Sequence, residues 1–104
     1  MLLAAARALA ELAAVRVLDG AFAEARELCR QAASLLHPDQ WRERLALLRR
    51  IATTYEREHR HAEALSTLAQ AQGVLDEAAE AGSEARLWEQ IEIDVARLWL
   101  CYWM

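Results

Sequence analysis

Hydrophobic positions recur at three- and four-residue spacing along most of this sequence, which is the pattern of one apolar face on an α-helix. Short polar breaks interrupt the pattern four times. The pattern therefore predicts five helices, over residues 2–18, about 21–36, about 40–57, about 61–80, and 84 to the end.

The connections between these helices are short and carry residues that stop or start a helix. Gly20 tolerates the left-handed backbone conformation found at many helix ends. Pro38 disfavours a helical residue before it, and Asp39 and Ser83 are expected to cap the helices that follow. The break at residues 58–60 has no glycine. Because all the connections are short, consecutive helices are expected to pack antiparallel as hairpins.

The sequence also repeats itself. A shift of 39 residues places the first predicted hairpin on the second, with large residues on large ones and small on small. The matched pairs include Leu9 with Leu48, Leu12 with Ile51, Ala13 with Ala52, Gly20 with His59, Ala25 with Ala64, Cys29 with Leu68, and Ala32 with Ala71. The paired alanines are expected where two helices pass closely, since a larger side chain there would push them apart.

A third unit is half present in the sequence. A shift of 44 residues places Ile51 and Ala52 on Val95 and Ala96, and Tyr55 on Trp99. We therefore expect one domain over 1–104. Its units are repeat 1 at about 2–38, repeat 2 at about 39–81, and half repeat 3 at about 83–104.

Three short motifs resemble the tetratricopeptide repeat (TPR). They are Leu-x-x-Leu-Ala at 9–13, Gly-x-Phe-x-Glu-Ala at 20–25, and Cys-x-x-Ala at 29–32, with Pro38 after the helix. Arg16, His59 and His61 depart from the family's aromatic, glycine and tyrosine. The repeat is also longer than the family's 34 residues. The resemblance implies an all-α fold in which hairpins stack as a right-handed α-solenoid of about two and a half repeats.

The resemblance also implies a function, which is non-catalytic binding of a protein or peptide partner. In such arrays the first helix of each hairpin lines a concave face, and the candidate residues on that face are Arg49, Thr53, Arg57, Gln90 and Arg97. The first three are four residues apart, so they share one side of a helix. With Arg97 they could hold a carboxylate or a phosphate. Arg49→Glu is then expected to weaken partner binding without unfolding the chain. The alternative is a solvated helix side with Glu56 in local ion pairs.

The last predicted helix carries aromatic residues on more than one side, which indicates that both sides are covered. We expect one side to pack on the fourth helix and the other to meet a further repeat, a second copy or a target. The candidate self-association residues are Trp99, Tyr102 and Trp103, and Trp103→Ala is expected to change the mass in solution. The alternative is that these aromatic residues are simply part of the hydrophobic core.

Repeats cannot bury their faces alone, and an array usually needs about three units and a polar cap. The sequence ends in an apolar run at 98–104, so we expect either a piece of a longer array or a chain completed by a homodimer mate. Long Ala- and Arg-rich repeats are similar to those of large bacterial signalling proteins, such as transcription activators of the maltose-regulator type. An alternative function is therefore an oligomerisation or regulatory segment of such a protein, which self-associates through the last helix.

Composition narrows the function classes further. The 104 residues carry a net charge of −4, which argues against nucleic-acid binding because that needs a basic face. The sequence contains no run of 18 uncharged apolar residues, so no membrane span is predicted. Cys29 and Cys101 are interpreted as reduced core thiols of a cytoplasmic protein.

Neither catalysis nor a cofactor is predicted. The sequence has no nucleophile–base pair, no glycine-rich phosphate loop and no paired acids typical of a catalytic cleft. His59 and His61 are separated by one residue at a predicted turn, and no third ligand follows at a set spacing. They are interpreted as surface histidines and not as a metal site.

Overall fold

The structure, a computed structural model, describes residues 2–78 and 83–103, with Trp103 described by its backbone alone. These residues form five α-helices and no β-strand, which confirms the predicted all-α class. The helices are α1 (Leu2–Leu18), α2 (Phe22–Ser34), α3 (Trp41–Arg57), α4 (His61–Ala78) and α5 (Glu84–Trp103).

The helix ends follow the predicted signals with two differences. Helix α2 ends two residues early, because the backbone N–H groups of Leu35 and Leu36 donate to carbonyls only three residues back, which tightens the last turn. The prediction that Asp39 caps α3 is wrong. Its backbone N–H donates to Nδ1 of His37 at 3.2 Å, and Gln40, which precedes α3, makes no side-chain capping bond. Ser83 does cap α5, since its Oγ accepts the N–H of Arg86 at 3.2 Å.

The turns after α1 and α3 have the same backbone geometry, 39 residues apart. Gly20 has a φ of +79° and His59 a φ of +59°, so both lie in the left-handed region. The next N–H reaches back five residues in each turn, from Ala21 to the Arg16 carbonyl at 2.9 Å and from Arg60 to the Tyr55 carbonyl at 2.8 Å. These bonds belong to the Schellman motif. The turn predicted without a glycine is thus built by a histidine that adopts the glycine conformation.

Each helix packs on the next one along the chain, and α5 also contacts α3. The resulting body is thin, measuring 39 × 37 × 16 Å. The alanines predicted at close helix approaches are buried, and Ala13, Ala25, Ala64 and Ala71 have no exposed surface. Three apolar clusters fill the interior, one shared by α1, α2 and α3, and two that join α3, α4 and α5.

A buried arginine joins α2 to α3. Arg26 donates from Nη1 to Oγ1 of Thr54 at 3.1 Å and also to the carboxylate of Glu58. Its guanidinium carbon lies 4.3 Å from the centre of the Tyr55 ring. A buried charge is costly unless it is paired and hydrogen-bonded, and here every partner lies on α3 or directly after it. The pairing fixes the position of α2 on α3.

Helix α5 packs with a side that the sequence pattern did not single out. Ile93 and Leu100 are buried against α3 and α4. Val95, which the shift of 44 residues matched with Ile51, is exposed, whereas Ile51 is buried. The third unit therefore does not repeat the packing of the second at that shift, because α5 presents a different side to its neighbours.

The two cysteines differ in environment. Cys29 is buried, and this burial raises the pKa of its thiol. Cys101 is exposed on α5, so the prediction that both are core thiols is wrong for Cys101. None of the helices formed by the described residues combines the length and apolar character that crossing a bilayer requires.

Candidate partner-binding groove

A groove of about 440 Å³ lies between α3 and α5. Its floor is apolar, and its rim carries mostly polar and aromatic side chains. The floor consists of Ala52, Leu68, Ala96 and Leu100, and the rim of Arg49, Thr53, Glu56, Glu92, Val95 and Trp99. Both helices are fixed below the groove by the apolar clusters, so the depression is bounded by packed helices and not by a loop.

Arg49, the first predicted binding residue, is held by carboxylates of α5. Its Nη1 lies 3.0 Å from Glu89 and 3.9 Å from Glu92. Glu89 is buried, and it also lies 3.5 Å from Arg42. The charge of Arg49 is therefore balanced within the protein. Since Arg49 ties α3 to α5, charge reversal there is expected to destabilise the fold as well, contrary to the expectation from the sequence.

The other residues predicted for the partner-binding surface do not lie together in the structure. Thr53 lines the groove, and its hydroxyl donates to the Arg49 carbonyl at 3.0 Å. Gln90 exchanges two hydrogen bonds with Gln72 of α4, at 2.8 and 2.7 Å, and so belongs to the α4–α5 contact. Arg57 and Arg97 are not among the described residues that line the groove. The predicted cluster of arginines for an anion is thus not assembled there.

The rim of the groove is acidic. Glu92 is largely exposed, and Glu56 accepts a hydrogen bond from Nε1 of Trp99 at 2.6 Å, which places the indole at the rim. Arg49 is engaged by Glu89 at 3.0 Å and lies 3.9 Å from Glu92, so the rim offers a ligand the carboxylate of Glu56 and the exposed part of the Glu92 carboxylate. An apolar floor below an acidic and aromatic rim suits an apolar side chain with a basic group next to it.

The candidate self-association residues lie at the end of α5. Trp99 is shared with the groove rim, and Tyr102 is exposed. The side chain of Trp103 lies outside the described residues.

The two histidines of the turn after α3 lie near one end of the groove. Their ring centres are 6.3 Å apart, and both line a smaller cavity with Glu56 and Trp99. Among the residues that the structure describes, no three His, Cys, Asp or Glu side chains are grouped as metal ligands.

Two buried charged residues were missed by the sequence pattern, Glu89 and Arg26. Each had a signal. Glu89 lies four residues before Ile93, and Arg26 lies four after Phe22 and three before Cys29, so both fall on an apolar stripe. A charged residue on such a stripe indicates a partner on another helix.

Comparisons with protein-family models, with curated proteins and with solved structures gave no match. The resemblance to the TPR family therefore rests on the sequence motifs.

Proposed function

We propose that this chain is a non-catalytic protein-interaction scaffold of the TPR type, which binds a segment of a partner protein between α3 and α5. The observation that carries this proposal is the groove itself, with its apolar floor and acidic rim. Its volume of about 440 Å³ falls within the roughly 300–1,000 Å³ that ligand sites commonly occupy.

Contacts among the odd-numbered helices support a stacked arrangement of hairpins. Arg7 of α1 pairs with Glu43 of α3 at 2.8 Å, and Arg50 of α3 donates to the carbonyl of Ala10 at 2.7 Å. The pair of Arg49 and Glu89 continues this line from α3 to α5. In a solenoid of helical hairpins the first helices form one side, which is the side that peptide ligands use.

The partner segment is a peptide that presents an apolar side chain beside Arg or Lys. The apolar side chain fits the alanine and leucine floor, and the basic group lies near Glu56 and Glu92. This charge preference is opposite to the carboxylate or phosphate that the arginines had suggested, because Arg49 is already paired.

Selection from a displayed peptide library, followed by affinity measurement, tests this function. We expect the enriched peptides to combine an apolar residue with Arg or Lys. Thr53→Tyr narrows the groove from an exposed position and is expected to weaken binding at least about tenfold, while the control Thr53→Ser stays within about twofold. Enrichment of acidic peptides, or equal binding to both variants, would contradict the proposal.

A further inference from the structure

Helix α5 carries a second apolar surface, which faces mainly away from α3 and α4 and borders the groove at Val95. We define this outer face of α5 by Trp88, Ile91, Val95, Leu98 and Tyr102. The steps between these residues are three, four, three and four, which is the heptad spacing of a helix that pairs with another helix. Their exposed fractions lie between 41% and 80%.

The opposite side of the same helix is already used. Ile93 and Leu100 are buried against α3 and α4, and Ala96 packs with them. The helix is therefore apolar on two sides, and the described residues cover one of them. A helix that is hydrophobic all round is typical of a buried position.

The size of the outer face matches what a dimer interface requires. With aromatic side chains offering about 150–250 Å² each and aliphatic ones somewhat less, these residues and the adjoining Leu87 expose on the order of 600 Å². That is at the upper end of the roughly 300–600 Å² patch of a typical monomer. With a polar margin, it approaches the ~800 Å² that each partner contributes to a standard interface.

We propose that the outer face of α5 pairs with the same face of a second copy, so that the chain forms a homodimer through a two-helix seam. This inference goes beyond peptide binding in the groove, since it names another occupant and uses a surface of α5 that shares only Val95 with the groove rim. A two-fold dimer is also the commonest closed arrangement of soluble oligomers.

The charges next to the seam are compatible with self-pairing. Glu92 and Asp94 flank the outer face, one on each side. In a parallel seam Glu92 lies beside Leu87 of the second copy, and Asp94 beside Trp99. In an antiparallel seam whose centre lies between Val95 and Leu98, they lie beside Trp99 and Cys101. In both of these arrangements each of the two carboxylates meets an uncharged residue of the mate.

Sedimentation equilibrium of the full chain from about 1 to 100 μM tests the dimer. We expect a mass of twice the 11.8 kDa chain. Ile91→Glu and Leu98→Glu are expected to raise the dimer Kd at least about 100-fold, because the two-fold axis places each carboxylate in the seam twice. The matched control is Leu12→Glu on α1, since Leu12 is 40% exposed and Ile91 41%. Its effect on the Kd is expected to stay within about threefold.

Three results would overturn the proposal. They are a monomer at 100 μM, a dimer that both α5 variants leave intact, and a dimer that Leu12→Glu weakens equally. Circular dichroism reports whether each variant is folded. If Ile91→Glu loses helicity, Leu98→Glu decides the test, because Leu98 is 71% exposed and contributes little to the core. A monomeric chain would still bind peptides in the groove, so the two proposals fail separately.

Discussion

Helices α1 and α5 are the outermost helices of the structure, and they differ in the side chains on their outer sides. The outer side of α1 exposes Ala8, Leu12 and Val15. The outer face of α5 exposes larger residues, among them Trp88 and Leu98. A surface built partly of alanine costs little to hydrate, whereas exposed tryptophan and leucine in a row are costly. Of these two helices, α5 therefore turns the larger apolar side chains to the surface, and this is the surface that the proposed dimer would cover.

The two helices also differ in how they are held. Helix α1 packs closely on α2 through alanines such as Ala6 and Ala13, both buried. Helix α5 contributes few large residues to the core, mainly Ile93 and Leu100. Polar links supply much of its remaining attachment to α3 and α4, and they comprise Arg49 with Glu89, Arg86 with Asp76, Gln90 with Gln72, and Trp99 with Glu56. The helix with the larger apolar residues thus turns many of them away from its own chain.

The largest effect is expected from truncating the inner side of α5. Ile93 is fully buried, so Ile93→Ala should lower the free energy of unfolding by about 2–5 kcal/mol through lost burial and the cavity left behind. The matched control is Ile91→Ala, because Ile91 lies on the outer face. This change should alter the free energy of unfolding by less than about 0.5–1 kcal/mol. Urea denaturation measures both, with each change made in the Leu98→Glu background so that dimer formation does not contribute. Equal losses would mean that the two sides of α5 are not distinct.

A smaller effect is expected from reversing the charge that ties α5 to α3. Arg49→Glu would place a third carboxylate beside Glu89 and Glu92, and should cost roughly 1–3 kcal/mol, since the buried Glu89 keeps only Arg42. Arg57→Glu is the control, because Arg57 is exposed on the same side of α3, and it should stay within about 0.5 kcal/mol. The same urea titrations compare the two. If Arg49→Glu were as stable as the control, the polar attachment of α5 would be unimportant.

Local signals in the sequence predicted the helices and the repeat of the turns. Gly20 marked one turn, and the 39-residue shift placed His59 at the same position of the next, where it has the same left-handed conformation. These features depend on residues close together along the chain. Periodicity could not decide which side of α5 packs, because Ile91 and Ile93 lie on two apolar sides of one helix. The choice depends on the shape of the α3–α4 surface.

The groove was predicted less well than the fold, for a related reason. Arg49 and Thr53, which the sequence placed on one side of a helix, both line the groove from α3. The acidic character of that surface depends on Glu89, which lies forty residues from Arg49 and neutralises it. Arg26 and Thr54 are likewise brought together only by the packing of α2 on α3. Such pairings between helices leave no short-range pattern.

The smallest effect is expected at another polar attachment of α5, where Arg86 pairs with Asp76 of α4 at 2.7 Å. The hydrogen bonds from Arg86 and then from Gln72 lower the pKa of Asp76. A carboxyl whose pKa is lower in the folded state stabilises the fold above its unfolded pKa of about 4, and this contribution is lost as the pH falls through the folded pKa. Asp76→Asn should therefore lower the urea midpoint slightly at pH 7, and the difference from the wild type should vanish in acid. Glu77→Gln, one residue along α4, is the control for the loss of one negative charge. A difference that persisted unchanged at low pH would show that Asp76 acts through packing. In that case Ile93 and the Gln72–Gln90 pair would hold α5 to α4, and the Arg86–Asp76 ion pair would contribute nothing.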